Sequence, residues 1–93
     1  MTKLLTVEEI NQRASKLSDW ELEENKLKCI RRFKDFVEAI DFVKKLVDPA
    51  ETLQHHPDLE VSYNKVTVIL TTHDAGGLTE KDFSMAKTIS SLS

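Results

Sequence analysis

Two segments of this 93-residue chain each read as a pair of alternating runs followed by a helix, and that repeated unit limits the possible folds more than any other feature. In the second unit, Leu59, Val61 and Tyr63 alternate with Glu60 and Ser62, Asn64 and Lys65 supply a turn, and Val66, Val68 and Leu70 alternate with Thr67, Ile69 and Thr71. Successive strand side chains point to opposite faces, so a period of two offers one apolar face to a core. In the first unit, Trp20 and Leu22 alternate with Glu21 and Glu23, Asn25 and Lys26 punctuate, and Leu27, Cys29, Arg31 and Phe33 alternate again. Ile30 shares the face of Lys28 and Arg32, so the pattern there is less regular. Short turns make both pairs antiparallel.

The helices announce themselves by their first turns. Thr6 followed by Glu9 is a capping box, in which hydroxyl and carboxylate each satisfy a free backbone amide. Val7, Ile10, Ala14 and Leu17 then recur at helical spacing until Ser18 and Asp19. Asp35 with Glu38 repeats the spacing ahead of Phe36, Val37, Ala39, Ile40, Phe42, Val43, Leu46 and Val47. Those positions cover an arc of roughly 200°, about twice the stripe needed to pack against one layer. Part of this second helix, residues 35–47, is therefore expected to meet a partner subunit. Pro49 is expected to end or kink it near Val47, with residues 50–54 free to form another turn. Thr79 with Asp82 is a third box, before Phe83, Ala86, Ile89 and Leu92. The order α-β-β-α-β-β-α implies an α+β two-layer sandwich: a four-stranded antiparallel sheet with helices on one face. At this length, residues 1–93 are expected to form a single domain. The repeat is architectural, with no matching sequence period.

Charge narrows the functions. A net charge of -3 gives no long-range field toward nucleic acid phosphates or anionic lipid, so direct nucleic acid binding is not expected. Lys26, Lys28, Arg31, Arg32 and Lys34 cluster, but Glu21, Glu23, Glu24, Asp35 and Glu38 flank them, as on a solvated surface. Cys29 has no second cysteine to pair with, and Met1 to Leu5 lacks the regions of a secretory signal, so a reducing, cytoplasmic setting is expected. No apolar run approaches the ~18 residues that cross a bilayer, so no membrane association is expected.

All three histidines, His55, His56 and His73, fall in the second half of the chain. Imidazole titrates near ~6.5 and can both accept and donate a proton at neutral pH, which general acid/base catalysis requires. Adjacent residues in a short loop point in different directions, so His55 and His56 suit two parts of one pocket, with His73 facing them. Solvated surface histidines would show the same spacing. A zinc site drawing on Asp58, Asp74 or Glu51 is disfavoured, because neither a His-x-x-x-His pair nor a cysteine cluster is present. The capping box alone accounts for Asp82, and a plain surface position for Glu51. Gly76 and Gly77 lack a phosphate-loop pattern, and no nucleophile elbow occurs, which leaves covalent catalysis without a candidate.

The residues in sequence are Glu51, three residues, His55-His56-Pro57, five residues, Tyr63, nine residues, His73, eight residues, Asp82. This series resembles the signature of the pterin-4a-carbinolamine dehydratase family. The likeness extends to Tyr63-Asn64-Lys65-Val66, to Leu70-Thr71-Thr72-His73-Asp74 and to Gly77-Leu78-Thr79, and so to essentially the whole chain. It implies loss of water from 4a-hydroxytetrahydropterin to give quinonoid dihydropterin in tetrahydrobiopterin recycling, by proton transfers alone, with no metal or organic cofactor. It implies His55 and His73 as the proton-transfer pair on opposite faces of the pterin, and His56 as the residue that positions the ring. Asp82 would hydrogen-bond His73 and fix its tautomer, Glu51 would steady the histidine loop, and backbone groups around Pro57 and from Thr72 to Asp74 would meet the pterin's amide-like edge. Gln54 and Leu59 depart from frequent family residues and are expected in the pocket walls. The family also implies a homodimer or homotetramer through the second helix. The alternative readings are a dimerisation cofactor for a homeodomain transcription factor acting through that helix, and a catalytically silent pterin-binding module.

Overall fold

The computed structural model describes residues 3–92. Met1, Thr2 and Ser93, which the expected domain and the reading of the N-terminal segment include, lie outside the described residues. The elements run α1 (Val7–Ala14), β1 (Glu21–Glu23), β2 (Lys26–Arg32), α2 (Phe36–Lys45), α3 (Val47–Leu53), β3 (Asp58–Ser62), β4 (Lys65–Leu70) and α4 (Glu80–Ser90), with a 3-10 turn at His73–Ala75. The four strands form one antiparallel sheet in the order β1-β2-β4-β3. This is the α+β architecture that the alternating runs imply.

Register explains why the helices gather on one face. Leu27 lies opposite Leu70 and Cys29 opposite Val68, with Arg31 opposite Val66. Leu27, Cys29, Val66, Val68 and Leu70 are the strand residues of the buried core, and all five share that face. Ala39 and Phe42 from α2, Ala50 from α3, Phe83, Met85, Ala86 and Ile89 from α4, and Trp20, Leu46 and Leu78 from the connecting segments complete it. Each large apolar side chain so buried stabilises the fold by about 1.5–3 kcal/mol. Arg31 shares the core face by laying its guanidinium 5.0 Å from the centre of the Phe42 ring. Its Nη2 donates to the Leu92 carbonyl at 3.2 Å, which ties the end of the chain to the sheet.

Both hairpin turns sit one residue earlier than the sequence suggests. Lys26 pairs with Glu23 and Lys65 with Ser62, so the loops are Glu24-Asn25 and Tyr63-Asn64. Glu24 and Tyr63 each adopt φ 52°, the left-handed region that the first residue of these loops requires, although neither is glycine. The second helix divides at Leu46 into α2 and α3. Pro49 falls in the first turn of α3, where its missing N–H is no loss because that turn has no intrahelical acceptors. The Asp35 cap is half a box: its carboxylate accepts from the Glu38 amide at 2.9 Å, while Glu38 accepts from the Lys34 amide instead. Phe36, Val37 and Val47 remain exposed along α2 and α3. Among the described residues no helix is long and apolar enough to cross a membrane.

Candidate active site

Three chain segments converge beyond the end of β4. The first is the exit from α3. Gln54 takes a left-handed conformation, φ 51° and ψ 45°, its amide donates to the Glu51 carbonyl at 3.2 Å, and the His55 amide donates to the Ala50 carbonyl at 3.0 Å. These two bonds are a Schellman motif, which closes the helix and turns the chain sharply. The turn sends the neighbouring histidines opposite ways. His55 goes inward, 8% exposed, and His56 goes to the surface, where its Nε2 pairs with Glu51 Oε2.

The second segment is the loop after β4. Thr72 N–H donates to the Gly77 carbonyl at 3.0 Å, and the Thr72 carbonyl accepts from the amides of Ala75, Gly76 and Gly77. Gly76 at φ 80° allows the chain to double back within so few residues. His73 therefore opens a 3-10 turn rather than ending a strand, and it stands exposed at the rim. Its Nε2 lies 3.7 Å from Asp58 Oδ2 on β3, an ion-pair separation too long for a hydrogen bond.

The third segment is the start of α4. Asp82 is fully buried, and its Oδ2 accepts from the Thr79 amide at 2.9 Å and from the Thr72 hydroxyl at 2.8 Å. Its Oδ1 pairs with His55 Nε2 at 2.5 Å. The resemblance places Asp82 against His73, and the structure corrects this. The α4 first turn packs on the end of α3, whereas His73 leans outward toward β3. Two donors hold Oδ2, and a carboxylate can only accept, so at Oδ1 it is His55 that donates its Nε2 proton. No buried side-chain nitrogen or oxygen among the described residues lacks a partner, so His55 Nδ1, which has no hydrogen bond, opens toward solvent in the cleft.

A cleft of about 260 Å³ brings together His55, His56, His73, Thr72 and Asp74, five of the residues singled out from the sequence. Gln54 also lines it. Glu51, Pro57 and Leu59 do not; they border a neighbouring apolar groove with Val43, Leu46, Val47 and Ala50, and only His56 reaches both. The Thr72 backbone is occupied by the loop, so it is not free for a ligand, and His73 and Asp74 supply that stretch of the rim. Among the described residues, no group of three or more His, Cys, Asp and Glu side chains is placed to hold a metal ion. Cys29 sits on the core face of β2, where burial first and the charge of Asp19 second push its thiol pKa up, the opposite of an activated nucleophile.

Residues 3–92 match the sequence profile described as Pterin 4 alpha carbinolamine dehydratase. This chain belongs to that family. A relative in Trichodesmium erythraeum (strain IMS101) is 76% identical over 93 residues, 100% of both chains. Another, in Nostoc sp. (strain PCC 7120), is 64% identical over 92 residues, 99% of each. Both are provisionally named pterin-4-alpha-carbinolamine dehydratases. The crystal structure of a Brucella melitensis protein described as a transcriptional coactivator/pterin dehydratase superposes with a TM-score of 0.87 and 35% identity, covering 92% of this chain and 94% of that one. Two lining residues of the cleft in this pterin-4a-carbinolamine dehydratase family member, Thr71 and Lys81, escaped sequence reasoning. Lys81 precedes Asp82 in the capped first turn of α4. Once that cap is placed at the site, its neighbours follow, and this was the available signal.

Proposed function

We propose that this chain removes water from a pterin 4a-carbinolamine, with His55 and His73 exchanging protons with the substrate across the cleft. The chain is a dehydratase of the pterin carbinolamine class; the family match over residues 3–92 and the full-length relatives support that reading. One observation carries the mechanism: a histidine whose Nε2 proton is held by a buried carboxylate shares a cleft with the two other histidines. In the reaction the C4a–O bond breaks with its electron pair on oxygen, which gains a proton and leaves as water. The N5–H bond breaks, and its electrons form the C4a=N5 bond of the quinonoid product. Two proton transfers balance the equation, so no electron or group carrier enters.

Asp82 behind His55 leaves Nδ1 as the acting nitrogen and stabilises positive charge on the ring as it accepts a proton. His73 has the more distant Asp58 and the more exposed position, so His55 is the more firmly held of the two. His56, held by Glu51, braces the ring system at the mouth of the cleft, and the backbone of His73 and Asp74 meets its amide-like edge. The buried, unpaired Cys29 is consistent with a reducing, cytoplasmic setting, and tetrahydrobiopterin recycling is the pathway that this chemistry serves.

Stopped-flow measurement of 4a-hydroxytetrahydropterin dehydration tests the assignment. Wild type is expected to exceed the buffer rate, and His55→Ala and His73→Ala each to lose on the order of 10²- to 10⁴-fold, the usual contribution of a general acid or base. A wild-type rate equal to buffer sinks the proposal.

The exposed Phe36, Val37 and Val47 support a second reading, self-association as a homodimer or homotetramer through α2 and α3. A dimerisation-cofactor role would use the same face, and the coactivator description of the Brucella protein favours keeping it as the alternative. Light scattering at micromolar concentration decides assembly, and a strictly monomeric protein contradicts it.

A further inference from the structure

Hydrogen-bond direction in the buried network around Asp82 follows from counting protons. Thr72 Oγ1 lies 2.8 Å from Asp82 Oδ2 and 2.8 Å from Thr79 Oγ1. A hydroxyl carries one proton, and Asp82 Oδ2 accepts the one from Thr72. Thr79 must therefore donate to Thr72, while Thr79 Oγ1 accepts from the Lys81 amide at 3.3 Å. The result is a one-way chain from the Lys81 N–H through Thr79 and Thr72 to Asp82, which accepts from His55 Nε2 on its other oxygen. The residues Thr72, Thr79 and Asp82 are all buried.

Thr72 occupies a second position at the same time. Continuing the period of two from Val66, Val68 and Leu70, its side chain falls on the helix-bearing face, where α4 begins. Its backbone is the root of the His73 loop, because the Thr72 amide and carbonyl bond to Ala75, Gly76 and Gly77, with one further bond from the Gly76 amide to the His73 carbonyl. One residue thus joins the loop that carries His73 to the carboxylate that holds His55.

We propose that Thr72 is a positioning residue of the dehydratase, its hydroxyl clamping Asp82 so that the His55 tautomer and the spacing of the two histidine loops are set together. This rests on the dehydratase reading for its kinetic consequence but not for its structural one. Two oxygens bearing three donors have little freedom to rotate. Removing the Thr72 donor leaves Oδ2 with only the Thr79 amide, lets the carboxylate turn, and loosens its hold on the His55 Nε2 proton.

The test compares Thr72→Ala with Thr72→Ser, which differ by one oxygen, and adds Thr72→Val, which keeps the shape without the hydroxyl. Imidazole ¹⁵N shifts of the full chain report the His55 tautomer without substrate, and stopped-flow kinetics report kcat and KM. Thr72→Ala and Thr72→Val are expected to lower kcat on the order of 10- to 100-fold, the usual cost of losing such a supporting partner. KM should stay nearly unchanged, and His55 should shift from a single Nε2–H form to a mixture. Thr72→Ser should recover the wild-type spectrum and most of kcat. A wild-type His55 spectrum in Thr72→Ala overturns the proposal, as does Thr72→Ser being as impaired as Thr72→Ala. An inactive wild type would reject the dehydratase reading, and the spectra would still decide the clamp.

Discussion

Replacing Asp82 by Asn tests the site with almost no change in shape. The Thr79 amide can only donate, so the amide oxygen of the new side chain must take the Oδ2 position. Its NH₂ is then forced to the Oδ1 position, 2.5 Å from where His55 Nε2 stands in the wild type. Two donors cannot share that contact, and a neutral His55 must move its proton to Nδ1 and accept at Nε2. The nitrogen that faces the cleft then has no lone pair to offer. Loss of the acting nitrogen is expected to lower kcat between about 100-fold and 10,000-fold, or roughly 3–5.5 kcal/mol in the barrier. KM should change little, because Asp82 does not line the cleft. The fold should survive at a cost of about 1–3 kcal/mol, since Thr72 and Thr79 keep an acceptor. Asp82→Ala is the harsher case: it strands several buried donors, each costing about 1–3 kcal/mol. Stopped-flow rates, urea denaturation and ¹⁵N spectra of His55 check these together. An Asp82→Asn protein with wild-type kcat, or with His55 still protonated on Nε2, refutes the reasoning.

Other features give independent expectations. The left-handed backbone of Gln54 costs a side-chain-bearing residue about 1–2 kcal/mol, partly offset by the chain entropy that glycine loses. Gln54→Gly should therefore be about 0.5–1 kcal/mol more stable than Gln54→Ala in urea denaturation. Equal stabilities would show that the turn is unstrained. Cys29 has its pKa raised in the fold, so the native state holds this proton more tightly than the unfolded chain. Its contribution is complete below the unfolded thiol value of about 8.5 and falls as pH rises beyond it. Cys29→Ala should flatten the loss of stability between about pH 8 and 10. Glu9 has its pKa lowered, chiefly by its bond to the Thr6 backbone. That stabilisation is present above the ordinary carboxylate value and fades as pH falls through the lowered one, so the Thr6 amide should lose exchange protection in acid before the core does. Glu9→Gln should abolish that early loss.

What the sequence revealed divides by the range of the interaction. The Thr6–Glu9 and Thr79–Asp82 boxes span three residues and were legible as written. The strand faces were legible too, because a period of two sorts Leu27, Cys29, Val66, Val68 and Leu70 without knowledge of their partners. Both turn positions slipped by one because the left-handed residues are Glu24 and Tyr63, and Asn-Lys looked the better turn chemistry. The Schellman exit from α3 was hidden for the same reason, with Gln54 standing where glycine would have marked it.

The three partners of Asp82 follow this gradient. Its bond to the Thr79 amide is a local cap, readable from the spacing alone. Its bond to Thr72 becomes readable once β4 is assigned, because parity turns Thr72 toward the helices. Its bond to His55 depends on how the α4 start meets the α3 end, 27 positions apart, and no local pattern encodes that. The reading that fixed on His73 therefore missed the contact that sets which nitrogen of His55 faces the cleft. Capping already explained the Asp82 carboxylate, which made a second role look unnecessary. Yet a cap needs only one oxygen, and the full burial of this side chain requires that the other be satisfied as well. A buried capping carboxylate in a chain with few titratable neighbours is thus a reason to search for a second donor, and here that donor is the histidine whose free nitrogen opens on the cleft.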